Sequence, residues 1–174
     1  VLKRLESRKD EIQTFVNELL QKNRQVKKKF EINPAFIHDL NFENKVSLRG
    51  SIDQMIRSDS SHQLSLFNSK GIMLLQALKE TSQKVKLLEP EGEISLSQDL
   101  LNQVKSKKEL LLSEGISRKE MSLVLLSSFK NLDGHVVGYL EQVVFLNTEL
   151  VNDLKKKTKI DFLVLTPKGD LIVS

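Results

Sequence analysis

The chain has 174 residues, of which 39% are hydrophobic and 29% are charged, so it can bury a core and global disorder is excluded. Lysine and arginine number 27 against 23 acidic residues. This net charge of +4, with 5% aromatic residues and no Trp, argues against a nucleic-acid interface. The absence of cysteine excludes disulfides, thiolate metal sites and cysteine nucleophiles.

Features that would identify a metal site or a membrane segment are missing from the sequence. His38, His62 and His135 lack the spacing of metal ligands, and we predict no metal and no cofactor. No apolar run approaches the roughly 20 residues of a membrane span, and no signal peptide is recognisable. Because the chain begins at Val1, we expect it to be part of a longer protein whose membrane segments lie outside it.

Residues 1–32 are predicted to form one long helix. Two interleaved series recur every seven residues, which is typical of a coiled-coil seam, and the seam includes Leu5, Ile12, Val16, Leu19, Asn23 and Val26. One interpretation is an amphipathic helix lying on its own sheet. The other is a homodimer helix, and both can hold along different parts of the helix.

Residues 33–174 are predicted to form one module of alternating hairpins and helices. Asn33-Pro34 marks the start of a new helix, and Asp133-Gly134 is a strong hairpin signal. The predicted elements are helices at 35–40 and 46–57, strands at 62–68 and 72–78, a helix from a capping box at Ser95 to about Lys107, strands at 110–112, 120–130 and 135–146, a helix at 147–159, and a final hairpin of 161–166 with 170–173. Hairpins with segregated helices indicate an α+β fold with an antiparallel sheet of five to six strands.

The hairpin of 120–130 with 135–146 has two different faces. A two-residue turn at Asp133-Gly134 pairs Phe129 with Gly138 and Leu126 with Glu141. One face is mostly apolar and is predicted to lie under the long helix, which Gly138 would allow to approach closely; it carries Met121, Leu123, Leu125, Ser127, Phe129, Val136, Leu140, Gln142 and Val144.

The opposite face mixes apolar and polar side chains, as the walls of small-molecule pockets do. It carries Ser122, Val124, Leu126, Ser128, Lys130, Val137, Tyr139, Glu141, Val143 and Phe145. We predict a ligand-binding site at Ser128, Lys130, Tyr139 and Glu141, with Lys130 or a ligand satisfying the carboxylate. The alternative is a half-solvated face on which Glu141 is exposed.

Three segments resemble the Cache family, the PAS-like extracytoplasmic sensor modules of bacterial transmembrane receptors. They are LSLFNSKG (64–71), DGHVVGYLEQVVFLNTEL (133–150) and IDFLVLTPKGDLIVS (160–174). The resemblance implies a long helix emerging from an inner membrane, a periplasmic module, and a ligand pocket on the sheet face away from the helix; it leaves open whether the module ends at Ser174. The output domain, elsewhere in the protein, would be a histidine kinase, a nucleotide cyclase or a chemoreceptor.

The chain departs from the branch of this family that binds amino acids. That branch uses Arg, Trp and Tyr together with an Asp, but this chain has no Trp, one Tyr, and Val143 where the Asp would be. The resemblance therefore does not identify the ligand, and recognition of amino acids by that cluster is not expected.

No catalytic constellation is present, since the sequence lacks a Gly-rich phosphate loop, HExxH and G-x-S-x-G, so we predict that the chain is not an enzyme. Three functions remain: a sensor that binds a small molecule and signals through a dimer helix, a dimeric structural module without a ligand, and a coiled-coil adaptor without a sheet. The predicted hairpins favour the sensor.

Overall fold

The computed structural model describes the backbone of residues 2–81, 83–116, 121–159, 164–165 and 171–173, and the side chains of 9–81, 83–116, 122–148 and 150–159. Within these ranges the elements are helices α1 (Leu2–Glu31), α2 (Pro34–Asn41), α3 (Lys45–Ser58), α4 (Gln98–Lys107) and α5 (Thr148–Thr158), and strands β1 (Gln63–Asn68), β2 (Met73–Lys79), β3 (Val85–Leu88), β4 (Glu109–Glu114), β5 (Met121–Lys130), β6 (Val136–Phe145), β7 (Val164–Leu165) and β8 (Leu171–Val173). No helix in these ranges has both the length and the apolar character needed to cross a membrane.

Six strands form one antiparallel sheet in the order β3-β2-β1-β6-β5-β4, and β7 pairs with β8 separately. The two central strands, β1 and β6, are far apart in sequence, and both are almost wholly buried. The predicted α+β class and six-stranded antiparallel sheet are confirmed.

Helix caps account for the turns between the first three helices. Asn33 accepts hydrogen bonds from the backbone N–H groups of Ala35 and Phe36, and Pro34 occupies the first turn of α2, where a missing N–H costs nothing. Asn44 caps α3 by accepting from the N–H of Ser47. These caps fold α2 and α3 back onto the sheet.

Both faces of the sheet are covered. The helix side is filled by apolar residues of α1, α2 and α3 against the strands, including edge-to-face contacts of Phe36 with Phe30 and Phe129. On the opposite side α4 packs over a second apolar cluster of Phe67, Met73, Leu96, Leu101, Val104, Leu110, Leu126 and Tyr139. The domain is therefore three layers thick, with β6 in the middle of it.

The β5–β6 hairpin confirms most of the predicted register. Phe129 pairs with Gly138, Ser128 with Tyr139 and Leu126 with Glu141. The turn differs, because the N–H of Asn131 donates to the carbonyl of His135 and the loop is three residues long. A bulge beside Lys130 takes up the extra residue, so the register of the long arms is kept.

The bulge reverses two predicted positions. Lys130 pairs with Val136 instead of Val137. Val137 joins the helix-side core, whereas Val136 packs against the cluster under α4, the opposite of the alternation we expected.

Several predicted boundaries also change. The N-cap of α4 is Ser97 and not Ser95, because Ser95 forms a β-bridge with Ile72. Strand β3 was not predicted, since its Val-Lys-Leu-Leu sequence is too short for a clear period. Residues 166–170, which include the predicted final turn, lie outside the described part of the chain.

Candidate functional site

Glu141 lies at the centre of the sheet face turned away from α1. It pairs with Leu126 of β5 on one side and with Ser65 of β1 on the other. Its relative exposure is 0%, so the alternative of an exposed carboxylate on a half-solvated face is wrong. Its carboxylate is buried because β6 is a central strand and both faces of the sheet are covered.

The carboxylate of Glu141 is only partly satisfied. Its Oε1 accepts a hydrogen bond of 2.5 Å from the backbone N–H of Ile116, and side chains of Ser65 and Gln63 also bond to it. Its Oε2 has no hydrogen-bond partner among the residues that the structure describes. Burial raises the pKa of Glu141 above the ordinary value of a glutamate, and these hydrogen bonds counter only part of that rise.

Tyr139 and Ser128 form the next row of the same face. They pair across the strands, and each is at most 3% exposed. The Tyr139 hydroxyl finds no hydrogen-bond partner in the described ranges, and burial raises the pKa of this phenol. The structure therefore brings together three of the four predicted ligand-binding residues, Ser128, Tyr139 and Glu141. Two of their buried atoms, the Tyr139 hydroxyl and Glu141 Oε2, lack a hydrogen-bond partner among the described residues.

A surface groove passes close to this cluster. Its wall is formed by the end of β4 and the start of α4, with Ser95, Ser97, Leu100, Leu111, Leu112, Ser113, Glu114, Gly115 and Ile116 as lining residues. Ile116 belongs to this wall and also donates its N–H to Glu141. The carboxylate therefore lies next to the wall of the groove.

Lys130 does not belong to this cluster. It lines a different groove, with Glu31, Ile32 and Pro34 at the end of α1. It pairs with Val136, several residues along the strand from Glu141, so it cannot neutralise that carboxylate as predicted. The predicted register already paired Lys130 with Val137, four residues from Glu141, and the bulge, which no sequence signal marked, moves its partner one residue farther.

Ser65 and Gln63 are the polar residues that sequence reasoning missed. They come from β1, which is separated from β6 by 67 residues (69–135) and becomes its neighbour only in the folded sheet. They alternate with Leu64 and Leu66 in the predicted strand, and this alternation is the sequence signal that places Gln63 and Ser65 together on one face.

Behind Glu141, Gln142 points to the other face of β6 and contacts α1. Its Nε2 donates to the backbone carbonyl of Asn23 at 3.1 Å and to the carboxylate of Asp59. The Asn23 side chain in turn donates to Ser61 at 3.0 Å and accepts from the N–H of Ser60 at 3.1 Å. We call Asn23, Asp59, Ser61 and Gln142 the polar node; all four are at most 2% exposed.

The polar node corrects the prediction for the helix seam. Asn23 is buried within its own chain, and Val26 lies in the helix-side core, so neither is available to a dimer seam. Ile12, Val16 and Leu19 remain half-buried, and the side chain of Leu5 lies outside the described residues. Among the described side chains, the partly exposed stretch of the seam therefore runs from Ile12 to Leu19.

No family model matches this sequence, and no curated protein matches it. Solved structures do match. The periplasmic domain of LuxQ from Vibrio cholerae shares 17% identity and a TM-score of 0.58, over 96% of this chain and 76% of that one. The sensory domain of the chemoreceptor Tlp3 from Campylobacter jejuni shares 13% identity and a TM-score of 0.51, over 97% of this chain and 68% of that one.

The chain has the fold of these sensor domains. A further structure of Tlp3, in complex with L-valine, matches with a TM-score of 0.52 and 12% identity over 97% of this chain and 67% of that one. The predicted fold, a long N-terminal helix on a PAS-like antiparallel sheet, is therefore confirmed. At these identities the likeness concerns the fold alone, so the candidate site rests on the residues of this chain.

Proposed function

We propose that this chain is the extracytoplasmic, periplasmic ligand-sensing domain of an inner-membrane signal-transduction receptor and is not itself an enzyme. The output domain would be a histidine kinase, a nucleotide cyclase or a chemoreceptor domain elsewhere in the protein. The support comes from the fold, which is that of the periplasmic domain of LuxQ and of the sensory domain of Tlp3. It also comes from a partly satisfied polar cluster on the sheet face away from α1.

The observation that carries this proposal is the buried carboxylate of Glu141, whose Oε2 lacks a partner among the described residues. A buried carboxylate is costly unless it is hydrogen-bonded, so a ligand that donates a hydrogen bond would relieve that cost. The preferred ligand is therefore a small molecule with an amine or hydroxyl donor, held by Glu141 with Tyr139 and Ser128. Tlp3, which has the same fold, was solved with L-valine, and this supports a ligand of small size.

The signal would pass through β6 to α1. Glu141 and Gln142 are consecutive, and they point to opposite faces of the sheet. A ligand that draws on Glu141 would shift Gln142 and so alter its hydrogen bond to the carbonyl of Asn23 in α1. Binding would then favour one of two placements of α1, which is a population shift.

The partner of α1 would be a second copy of the chain, joined through the part of the helix from Leu5 to Leu19. Leu5, Ile12, Val16 and Leu19 recur at heptad spacing there, and the last three are half-exposed in one copy. Val16→Glu should shift sedimentation toward the monomer, whereas the same change at the exposed Asn17 should not. Equal sedimentation of the two variants would refute this arrangement.

The experiment that tests the sensing function is a thermal-shift screen of amines, amino acids, sugars and nucleotides against the purified domain. A ligand of the native state at a hundredfold excess over Kd raises the free energy of unfolding by about 2.7 kcal/mol. Glu141→Gln should lose most of the response, and Glu91→Gln, at an exposed loop position, should keep it. A hit that survives Glu141→Gln would place the ligand elsewhere.

One observation favours a second candidate, a dimeric structural module without a ligand. The face around Glu141 is already closed, since Val124, Leu126 and Val143 are fully buried by the protein itself. A screen without any response, together with dimerisation through α1, would favour this candidate.

A further inference from the structure

A second groove lies on the opposite face of the sheet, between α1 and the β4–β5 edge. Its volume is about 210 Å³, and its lining residues are Arg24, Lys27, Lys28, Glu31, Lys108, Glu109, Leu125, Ser127 and Gln142. This is below the roughly 300 Å³ at which pockets for drug-sized ligands begin, so only a molecule of a few heavy atoms would fit. The groove lies on the opposite face of the sheet from the Glu141 cluster, so a ligand bound in it occupies a second site.

Two buried polar atoms that lack partners among the described residues lie just beneath the floor of this groove, so a molecule bound there reaches them once the rim side chains move aside. Ser127 is 3% exposed and Gln142 is 0% exposed, and both line the groove. The Ser127 hydroxyl and the Gln142 Oε1 have no hydrogen-bond partner within the described residues. Such groups are rare in folded proteins, and each is completed by an ordered water or by a bound molecule.

The orientation of the Gln142 amide is decided by its neighbours. Its Nε2 lies against two acceptors, the carbonyl of Asn23 and the carboxylate of Asp59, so this end must be the donor. The opposite end, Oε1, is an acceptor. A molecule in the groove must therefore offer a hydrogen-bond donor to Gln142.

The rim of the groove is positively charged. Two of its four cations are paired, Arg24 with Glu109 at 2.6 Å and Lys27 with Glu31 at 2.7 Å. Lys28 and Lys108 make no ion pair within the described part of the chain. Lys108 also holds a backbone φ of 68°, a conformation that favours glycine, so a lysine at this position costs conformational energy.

We propose that this groove binds a small organic anion that carries a hydroxyl group, of the hydroxycarboxylate class. Its carboxylate would be held by Lys28 and Lys108, and its hydroxyl would donate to Gln142 Oε1 beside Ser127. Because Lys28 and Arg24 belong to α1 whereas Ser127 and Gln142 belong to the sheet, the bound anion would join the helix to the sheet. Occupancy would therefore act on α1 directly and, through Gln142, would be coupled to Glu141 on the opposite face.

The test compares L-malate with succinate, which differ by one hydroxyl, in calorimetric titrations of the whole 174-residue chain. Malate should bind about fivefold more tightly than succinate, the effect of one hydrogen bond to a buried acceptor. Lys28→Ala should weaken malate binding severalfold, whereas Lys29→Ala, one residue along the same helix and outside the groove, should not. Malate affinity should also fall as salt is raised.

Two further variants separate binding from folding. Lys108→Gly removes the charge and suits the backbone conformation, so it should weaken malate binding without lowering the thermal stability. Ser127→Ala should reduce the preference for malate over succinate. The proposal is overturned if malate does not bind, if both acids bind equally, or if Lys28→Ala and Lys29→Ala behave alike.

Discussion

Gly138 lies where β6 comes close to the backbone of β1 and to Leu40 of α2. A Cβ at this position would be 2.5 Å from the carbonyl oxygen of Phe67 and 2.8 Å from Cδ2 of Leu40. The first neighbour is backbone of β1, which is paired to β6 at this point, so it cannot move without separating the two central strands. The helix that approaches Gly138 is α2, not the long helix α1 that the sequence led us to expect.

These distances give the expected cost of Gly138→Ala. Leu40 can adjust its rotamer, but the Phe67 carbonyl cannot, so the cost should lie at the upper end of the about 1–3 kcal/mol seen for overpacked cores. For a domain of this size 1 kcal/mol shifts Tm by about 2–4 °C. We therefore expect a loss of about 6–12 °C, from some 3 kcal/mol of destabilisation.

Thermal and urea unfolding followed by circular dichroism would measure this change. Gly50→Ala is the matched control, because a Cβ there meets nothing within 4 Å and the residue is exposed in α3. In a helix this change should raise the free energy of unfolding by about 0.5–1 kcal/mol. A Gly138→Ala protein as stable as the wild type would refute the packing described here.

Three further changes test the candidate site and the polar node. Burial raises the pKa of Glu141, so between the ordinary glutamate pKa and the raised one the folded state binds more protons than the unfolded state. The free energy of unfolding should therefore fall as pH rises through this range. Urea unfolding at several pH values should show a steeper fall for the wild type than for Glu141→Gln, and parallel curves would contradict the burial. Asn23→Ala leaves Ser61 without its buried hydrogen-bond donor, so urea unfolding should show a free energy of unfolding lower by about 1–3 kcal/mol. Sedimentation should be unchanged, and a loss of only a few tenths of a kcal/mol would place the Asn23 side chain outside the core. Arg24→Met should cost at most about 1 kcal/mol, and less at high salt, because its pair with Glu109 is about two-fifths exposed (41% and 39%); a larger loss in the same assay would refute this.

Part of the candidate site could be predicted because it depends on local rules. Ser128, Tyr139 and Glu141 were placed on one face by strand alternation and by the register that runs back from the Asp133-Gly134 turn. The predicted register is correct from Phe129 onward although the loop has three residues instead of two, because the bulge beside Lys130 takes up the extra residue. Lys130 lies between the bulge and the turn, so its predicted pairing with Val137 is wrong.

The rest of the site depends on contacts between segments that are distant in sequence. Ser65 reaches Glu141 only because β1 pairs with β6, and Asn23 is buried only because the turn at Asp59 folds against α1. A heptad pattern shows which stripe of a helix is buried, but it does not show what covers that stripe. This is why Asn23 and Val26 looked like a dimer seam and lie instead against their own sheet.

The sequence by itself determined the class of the fold. Turn residues, helix caps and hydrophobic periods are local, and they set the order of helices and hairpins, including the N-cap at Asn33. Only the tertiary structure decided which faces are covered and which polar atoms are left without partners. Burial is a property of the whole assembly: Glu141 and Gln142 are adjacent in the chain, yet the folded sheet turns them toward opposite faces.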